Sequence, residues 1–177
     1  MLTEFSRDAV FTVAWFGLMT MVWFGWAQED PPPRWRIWLG IGSVIGTAIA
    51  IGFGVATAAN WDSPSALQGR YQWFGVLVAA EVLLAGGGCA WLAKTHRQRW
   101  MAWWVGLVVA VHFLPLAWLL DDASIAVIGA LELVILVGLH RRLRSDTRTT
   151  SAQVGAAMGT SLLAYAVIAG LTVVATG

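Results

Sequence analysis

Glu81, His112 and Glu132 are the residues of this 177-residue chain whose types and spacing could do chemistry. Each lies near the middle of a long apolar run: QWFGVLVAAEVLLAGGGCAWLA around Glu81, WWVGLVVAVHFLPLAW around His112 and SIAVIGALELVILVGLH around Glu132. A charge at mid-bilayer costs several kcal/mol unless it is neutralised, paired or turned toward a cavity. A carboxylic acid beside an imidazole or a second carboxylate can hold, relay or exchange a proton. The expected site therefore uses Glu81 and Glu132 as proton- or ligand-binding acids and His112 as relay. In an enzyme the same three would be the catalytic groups.

Their depths support grouping them. At 1.5 Å per residue, Glu81, His112 and Glu132 lie roughly 15, 12 and 14 Å from one end of their runs. Pro115 follows His112 by one turn and leaves the Val111 carbonyl without its helical partner, a further acceptor at the same level. Weakly polar faces could complete the lining. Ser43, Thr47, Ala50, Gly54 and Thr57 recur at alternating spacings of four and three, and Ser161, Tyr165 and Thr172 share another face. Thr47 and Tyr165 are the members taken as candidate binding residues.

The elements that must position these groups are membrane helices. The composition is 58% hydrophobic and 12% charged, with mean hydropathy +0.69. Soluble domains carry about twice that charge density, so the chain belongs to the membrane class. Polar breaks divide it into six expected spans, about 9–27, 37–59, 71–93, 100–120, 123–140 and 152–175. Each is long enough to cross a hydrocarbon core of roughly 30 Å. The expected fold is all-α, a single six-transmembrane-helix bundle over 1–177. The breaks carry suitable chemistry. Pro31-Pro32-Pro33 forces an extended turn, and Asp62, Ser63, Pro64 and Ser65 form a loop. Asp121 and Asp122 are placed to cap the fifth helix, and Thr149, Thr150 and Ser151 the sixth. The segment before the first run pairs Glu4 and Asp8 with Arg7, unlike the basic start of a signal peptide, so it reads as a retained first span.

Charge sets the orientation. Loops 1, 3 and 5 hold nine of the eleven Lys and Arg: Arg34 and Arg36; Lys94, Arg97 and Arg99; Arg141, Arg142, Arg144 and Arg148. The positive-inside rule puts these loops in the cytoplasm and both termini on the outer side of a cytoplasmic (inner) membrane. The twelve tryptophans fall mostly near span ends, as in an interfacial aromatic belt, and the basic clusters read as topology anchors rather than lipid-headgroup sites. Gly42 with Gly46 and Gly155 with Gly159 form G-x-x-x-G pairs that suit close helix packing and leave a homodimer possible.

Several classes are set aside. A net charge of +1 gives no case for nucleic acid. The lone Cys89 excludes an internal disulfide or a cysteine metal cluster. No G-x-S-x-G or H-E-x-x-H occurs, and no lysine lies inside a span to carry a Schiff base. No motif implies a cofactor or a metal.

The run Trp104-Val105-Gly106-Leu107-Val108-Val109-Ala110-Val111-His112-Phe113-Leu114-Pro115-Leu116-Ala117 resembles the core of a family of small bacterial multi-pass integral-membrane proteins. Trp23-Phe24-Gly25-Trp26-Ala27 and Tyr71-Gln72-Trp73-Phe74-Gly75 are similar to that family too. The resemblance implies a polytopic membrane protein and assigns no chemistry to any residue. From the residues themselves three functions compete. The first is proton-linked transport or export of a small amphipathic or cationic solute. The second is an intramembrane isomerase or cyclase acting on a lipid or isoprenoid by acid–base catalysis. The third is a structural or accessory membrane subunit. A side-opening cavity with acid and base in reach favours the enzyme, and a narrow aqueous path favours transport. All three have the lipid bilayer as partner, and the first two a small-molecule or lipid ligand in an intramembrane cavity.

Overall fold

In the computed structural model, which describes residues 3–176, six long helices carry nearly all the ordered backbone: α1 (Ser6–Ala27), α2 (Arg36–Ala59), α3 (Tyr71–Lys94), α4 (Met101–Leu119), α5 (Ala123–Leu143) and α6 (Ser151–Thr176). All six are long and apolar enough to cross a membrane. No strand occurs among the described residues. The breaks are where composition placed them, because only there do consecutive polar, Pro or Gly residues interrupt the apolar runs. Two ends differ. α1 starts earlier than expected, taking Arg7 and Asp8 into its first turn, and α5 runs on through Arg141 and Arg142 to Leu143.

The connections mix expected and unexpected chemistry. Pro32 is extended, but Pro33–Trp35 then tightens into a 3-10 turn leading into α2. Asp122 caps α5, its Oδ1 accepting from the Ser124 N–H at 3.0 Å. Asp121 instead takes a left-handed conformation (φ 48°) and lies 3.5 Å from Arg70. Thr150 accepts no α6 N–H with its side chain among the described residues; its hydroxyl donates to the Arg99 carbonyl at 2.8 Å. Arg99 in turn donates to the carbonyls of Leu143 and Arg148, tying the α3–α4 connection to the α5–α6 connection. This end of the bundle, rich in arginine, is called the basic face below. The opposite end is closed by Arg7, whose guanidinium donates to the Trp61 carbonyl and the Tyr71 hydroxyl.

Packing divides the helices into two groups. α1 packs most extensively against α2 and α6, whereas α4 packs against α5 and carries α3 on its other side. The groups meet where α6 touches α5 and α4. Around this seam lies the main core, with Phe16, Phe113, Leu136, Val154, Met158 and Leu162 all buried. α3 is the most exposed helix, with Leu92 its one buried residue.

Lipid tails are as apolar as leucine, so membrane helices adhere by close fit rather than by hydrophobic exclusion. Glycine makes that fit possible around α1. A methyl group on Gly46 would lie 2.7 Å from the Gly17 carbonyl oxygen, and one on Gly155 would lie 2.6 Å from the Trp23 carbonyl. The Phe24 ring sits between Gly42 on α2 and Gly159 on α6. Both G-x-x-x-G pairs are therefore spent inside the chain. Gly46→Ala should push α1 and α2 apart and cost about 1–3 kcal/mol. Gly52→Ala, where a methyl meets open space, should be neutral. Thermal unfolding of the detergent-solubilised protein checks both.

Candidate functional site

Between α1 of one group and α3, α4 and α5 of the other lies a cavity of about 310 Å³. One stripe of each helix faces it. α1 contributes Asp8, Phe11, Thr12, Trp15 and Phe16, the three- and four-residue spacing that keeps side chains on one helical face. α3 contributes Phe74, Val78 and Glu81 at the same kind of spacing, and α4 contributes His112 and Leu116. Leu67, Leu120 and Ile125 close the end nearest Arg7. Apart from Asp8, Thr12, Glu81 and His112 the walls are apolar.

The chemistry sits at mid-depth. His112 Nδ1 lies 3.4 Å from Glu81 Oε2, with side-chain exposures of 8% and 24%. No hydrogen bond joins them, and His112 Nδ1 has no other partner among the described residues. An acid and an imidazole so placed can share a proton and present it, or the empty acceptor, to a guest in the cavity. α4 runs unbroken through Pro115, so the proline does not end the helix that holds His112. Glu81 and His112 also supply two possible metal ligands, but among the described residues no group of three or more His, Cys, Asp or Glu is arranged to hold an ion.

The cavity has a side wall of aromatic residues rather than a closed one. α1 and α3 make no extensive contact, and Phe11 and Trp15 on the cavity edge are 41% and 46% exposed. The gap between these helices faces sideways. The end of the cavity is sealed by the 60–70 loop. Asp8 Oδ2 accepts from the Ala66 N–H at 2.7 Å and from the Ser65 hydroxyl at 3.1 Å, while Oδ1 lies 3.5 Å from Arg7.

The remaining expected residues go elsewhere. Glu132 does not join Glu81 and His112, and it is absent from the cavity wall. It is fully buried in the seam, where the Ser161 hydroxyl donates to its Oε1 at 2.7 Å. Its Oε2 has no hydrogen-bond partner among the described residues. Ser161 Oγ also lies 2.9 Å from the Met158 carbonyl. Glu132 faces α6 rather than the cavity. Tyr165 likewise lies on the seam, its hydroxyl 2.6 Å from that of Ser124, which donates to Asp122. Thr47 donates to the Ser43 carbonyl of its own helix at 2.8 Å and lines no part of the cavity. Ser43 and Thr57 bond back the same way.

Sequence reasoning missed Asp8 and Ser65, reading both as polar residues of the outer side. The available signal was periodic: Asp8, Thr12 and Phe16 mark one face of α1, four residues apart. The tryptophans also divide. Trp38, Trp61, Trp73, Trp91 and Trp118 are exposed as a belt requires, whereas Trp23 is buried. Trp103 and Trp104 donate across to the carbonyls of Leu136 and Leu84.

No protein-family model, curated protein or solved structure matches this chain. The site is read from its own geometry.

Ser161→Ala should leave the Glu132 carboxyl without a side-chain partner and lower stability by about 1–3 kcal/mol. Glu81→Gln, at a cavity wall, should change the melting temperature less. Thermal unfolding in detergent separates the two.

Proposed function

We propose that this polytopic membrane protein is a proton-linked transporter of small amphipathic molecules, cationic or hydrogen-bonding at their polar end. The observation that carries this reading is the Glu81–His112 pair at mid-depth in an otherwise apolar cavity. A cavity of this size is at the low end of the roughly 300–1,000 Å³ typical of small-molecule sites. Its lining carries two carboxylates and no lysine or arginine, which favours a cation over an anion. Binding at Glu81 would displace the proton toward His112, and release would restore it. Two helix groups joined along one seam are also the kind of pair that can rock to alternate access.

The reading takes the arginine-rich loops as cytoplasmic, so that the cavity lies in the outer half of an inner membrane. Glu132, Tyr165 and Thr47 have no contact with the guest in this scheme. Glu132 holds the seam instead.

By the criterion that a side-opening cavity with acid and base in reach favours catalysis, the uncovered edge between α1 and α3 supports a second reading, an intramembrane acid–base enzyme acting on an apolar lipid or isoprenoid; the carboxylates of a lining without lysine or arginine keep transport first. The gap between α1 and α3 would admit such a molecule sideways, with Glu81 as acid and His112 as base.

Proteoliposomes loaded with ethidium or tetraphenylphosphonium and placed in a pH gradient test the first reading. Flux should fall more than about tenfold in Glu81→Gln and in His112→Gln while Glu132→Gln retains it, since an interaction at the reacting group is worth at least 1.4 kcal/mol. Flux unchanged in Glu81→Gln ends the transport reading. A lipid converted by the wild-type protein and not by Glu81→Gln would establish the enzymatic one.

A further inference from the structure

A second concave surface lies on the basic face, away from the Glu81–His112 cavity. It is a groove of about 560 Å³ between the end of α3 and the end of α5, floored by the start of α4. Two adjacent indoles build its floor. Trp103 donates to the Leu136 carbonyl on α5 at 3.0 Å, and Trp104 donates to the Leu84 carbonyl on α3 at 2.9 Å. Pointing opposite ways from α4, they hold α3 and α5 on either side of it. Gly88 makes room for the Trp104 ring, where a methyl group would overlap the indole.

The rim of this groove is cationic. Arg97 and Arg144 line it and are exposed, their guanidinium groups making no hydrogen bond or ion pair among the described residues. Arg99 also lines it, but its donors are committed to backbone carbonyls and its guanidinium stacks over Trp100 at 4.9 Å. His140 sits against the rings of Trp100 and Trp103, and its Nδ1 is buried without a hydrogen-bond partner among the described residues. No Asp or Glu lines the groove. Asp146, the carboxylate that acts on Arg99 from outside it, is engaged by the Arg148 N–H, which with Arg148 and Arg99 holds its acid below the ordinary range.

The turn that presents Arg97 is built against local preference. Arg97 N–H bonds to the Leu92 carbonyl and His96 N–H to that of Ala93, a helix-ending motif whose left-handed position usually holds glycine. Here His96 occupies it at φ 56°, and both His96 and Arg97 line the groove.

We propose that this groove binds a phosphate-bearing anion, supplied by the headgroup of an anionic phospholipid. Free arginines and the absence of a lining carboxylate suit the phosphate. Tryptophan at the helix ends suits the boundary between headgroups and acyl chains, and farther along α3 and α5 the exposed Leu83, Leu84 and Val134 offer apolar surface to the chains. A soluble phosphate compound would have no use for that surface.

Native mass spectrometry of the full chain, with dioleoyl phosphatidylglycerol or dioleoyl phosphatidylcholine added, tests this. Phosphatidylglycerol should be retained preferentially, and the Arg97→Ala/Arg144→Ala variant should lose about fivefold in retention per arginine. Both arginines are exposed, so the variant folds. Arg34→Ala, an exposed arginine of the same face outside the groove, should bind as wild type. Millimolar inorganic phosphate should not displace the lipid; displacement would assign the site to free phosphate and overturn the lipid proposal. Equal retention of the two lipids, or an equal loss in Arg34→Ala, would overturn the site itself.

Discussion

The close approach of α1 to its two neighbours is the constraint on which the bundle depends. In a bilayer no solvent drives helices together, so contact must come from fit. Gly17, Gly46 and Gly155 let the backbones of α1, α2 and α6 come nearer than any side chain would allow, and Phe24 fills the space between Gly42 and Gly159. Once α1 is held on those sides, one face of it remains uncovered by α2 or α6. That face carries Asp8, Thr12 and Trp15, and the cavity is the space between it and α3. The cavity follows from where the glycines are, and from where they are not.

The interior polar groups fall into two sets with different work. Along the seam, Glu132 with Ser161 and Tyr165 with Ser124 join α5 to α6 by side-chain hydrogen bonds. Such bonds are worth about as much in a membrane as in water, because the separated helices also find partners. Their value is directional: they fix the rotation and register of α5 against α6. Around the cavity, by contrast, Glu81 and His112 stop short of a full hydrogen bond. The seam groups hold the two halves together by hydrogen bonds across it, whereas the cavity pair makes none and is available to something else.

How much of this was readable in the sequence depended on the kind of information required. Span number and limits were legible because they are one-dimensional: apolar runs end where Pro31, Asn60, Thr95, Asp121 and Ser145 interrupt them. Depth was legible for the same reason, and it correctly brought Glu81 level with His112. Rotation was not. Glu132 was expected at the depth of Glu81, and a helix nearly apolar all round does not say which side faces in. Asp8 was misplaced because a carboxylate near a span end looks like a solvated loop charge, and only the return of the 60–70 loop onto α1 buries it. The tryptophans misled in the same way, since proximity to a span end says nothing about whether an indole points to lipid or, like Trp103, to a neighbouring helix.

That the extensive packing of α3 is against α4 has a consequence for how the protein is made. Chains emerge and insert from the N-terminus, so α1 meets α2 at once and their glycine contacts can form early. α3 enters next and meets α1 through the Arg7–Tyr71 hydrogen bond, but its extensive contacts are with α4 and the turn before it. Until α4 arrives, Glu81 waits in the bilayer without His112, and the Leu84 carbonyl waits without the Trp104 indole. The short connection from Lys94 to Met101 keeps that interval brief, which gives the third and fourth spans reason to be inserted as a pair.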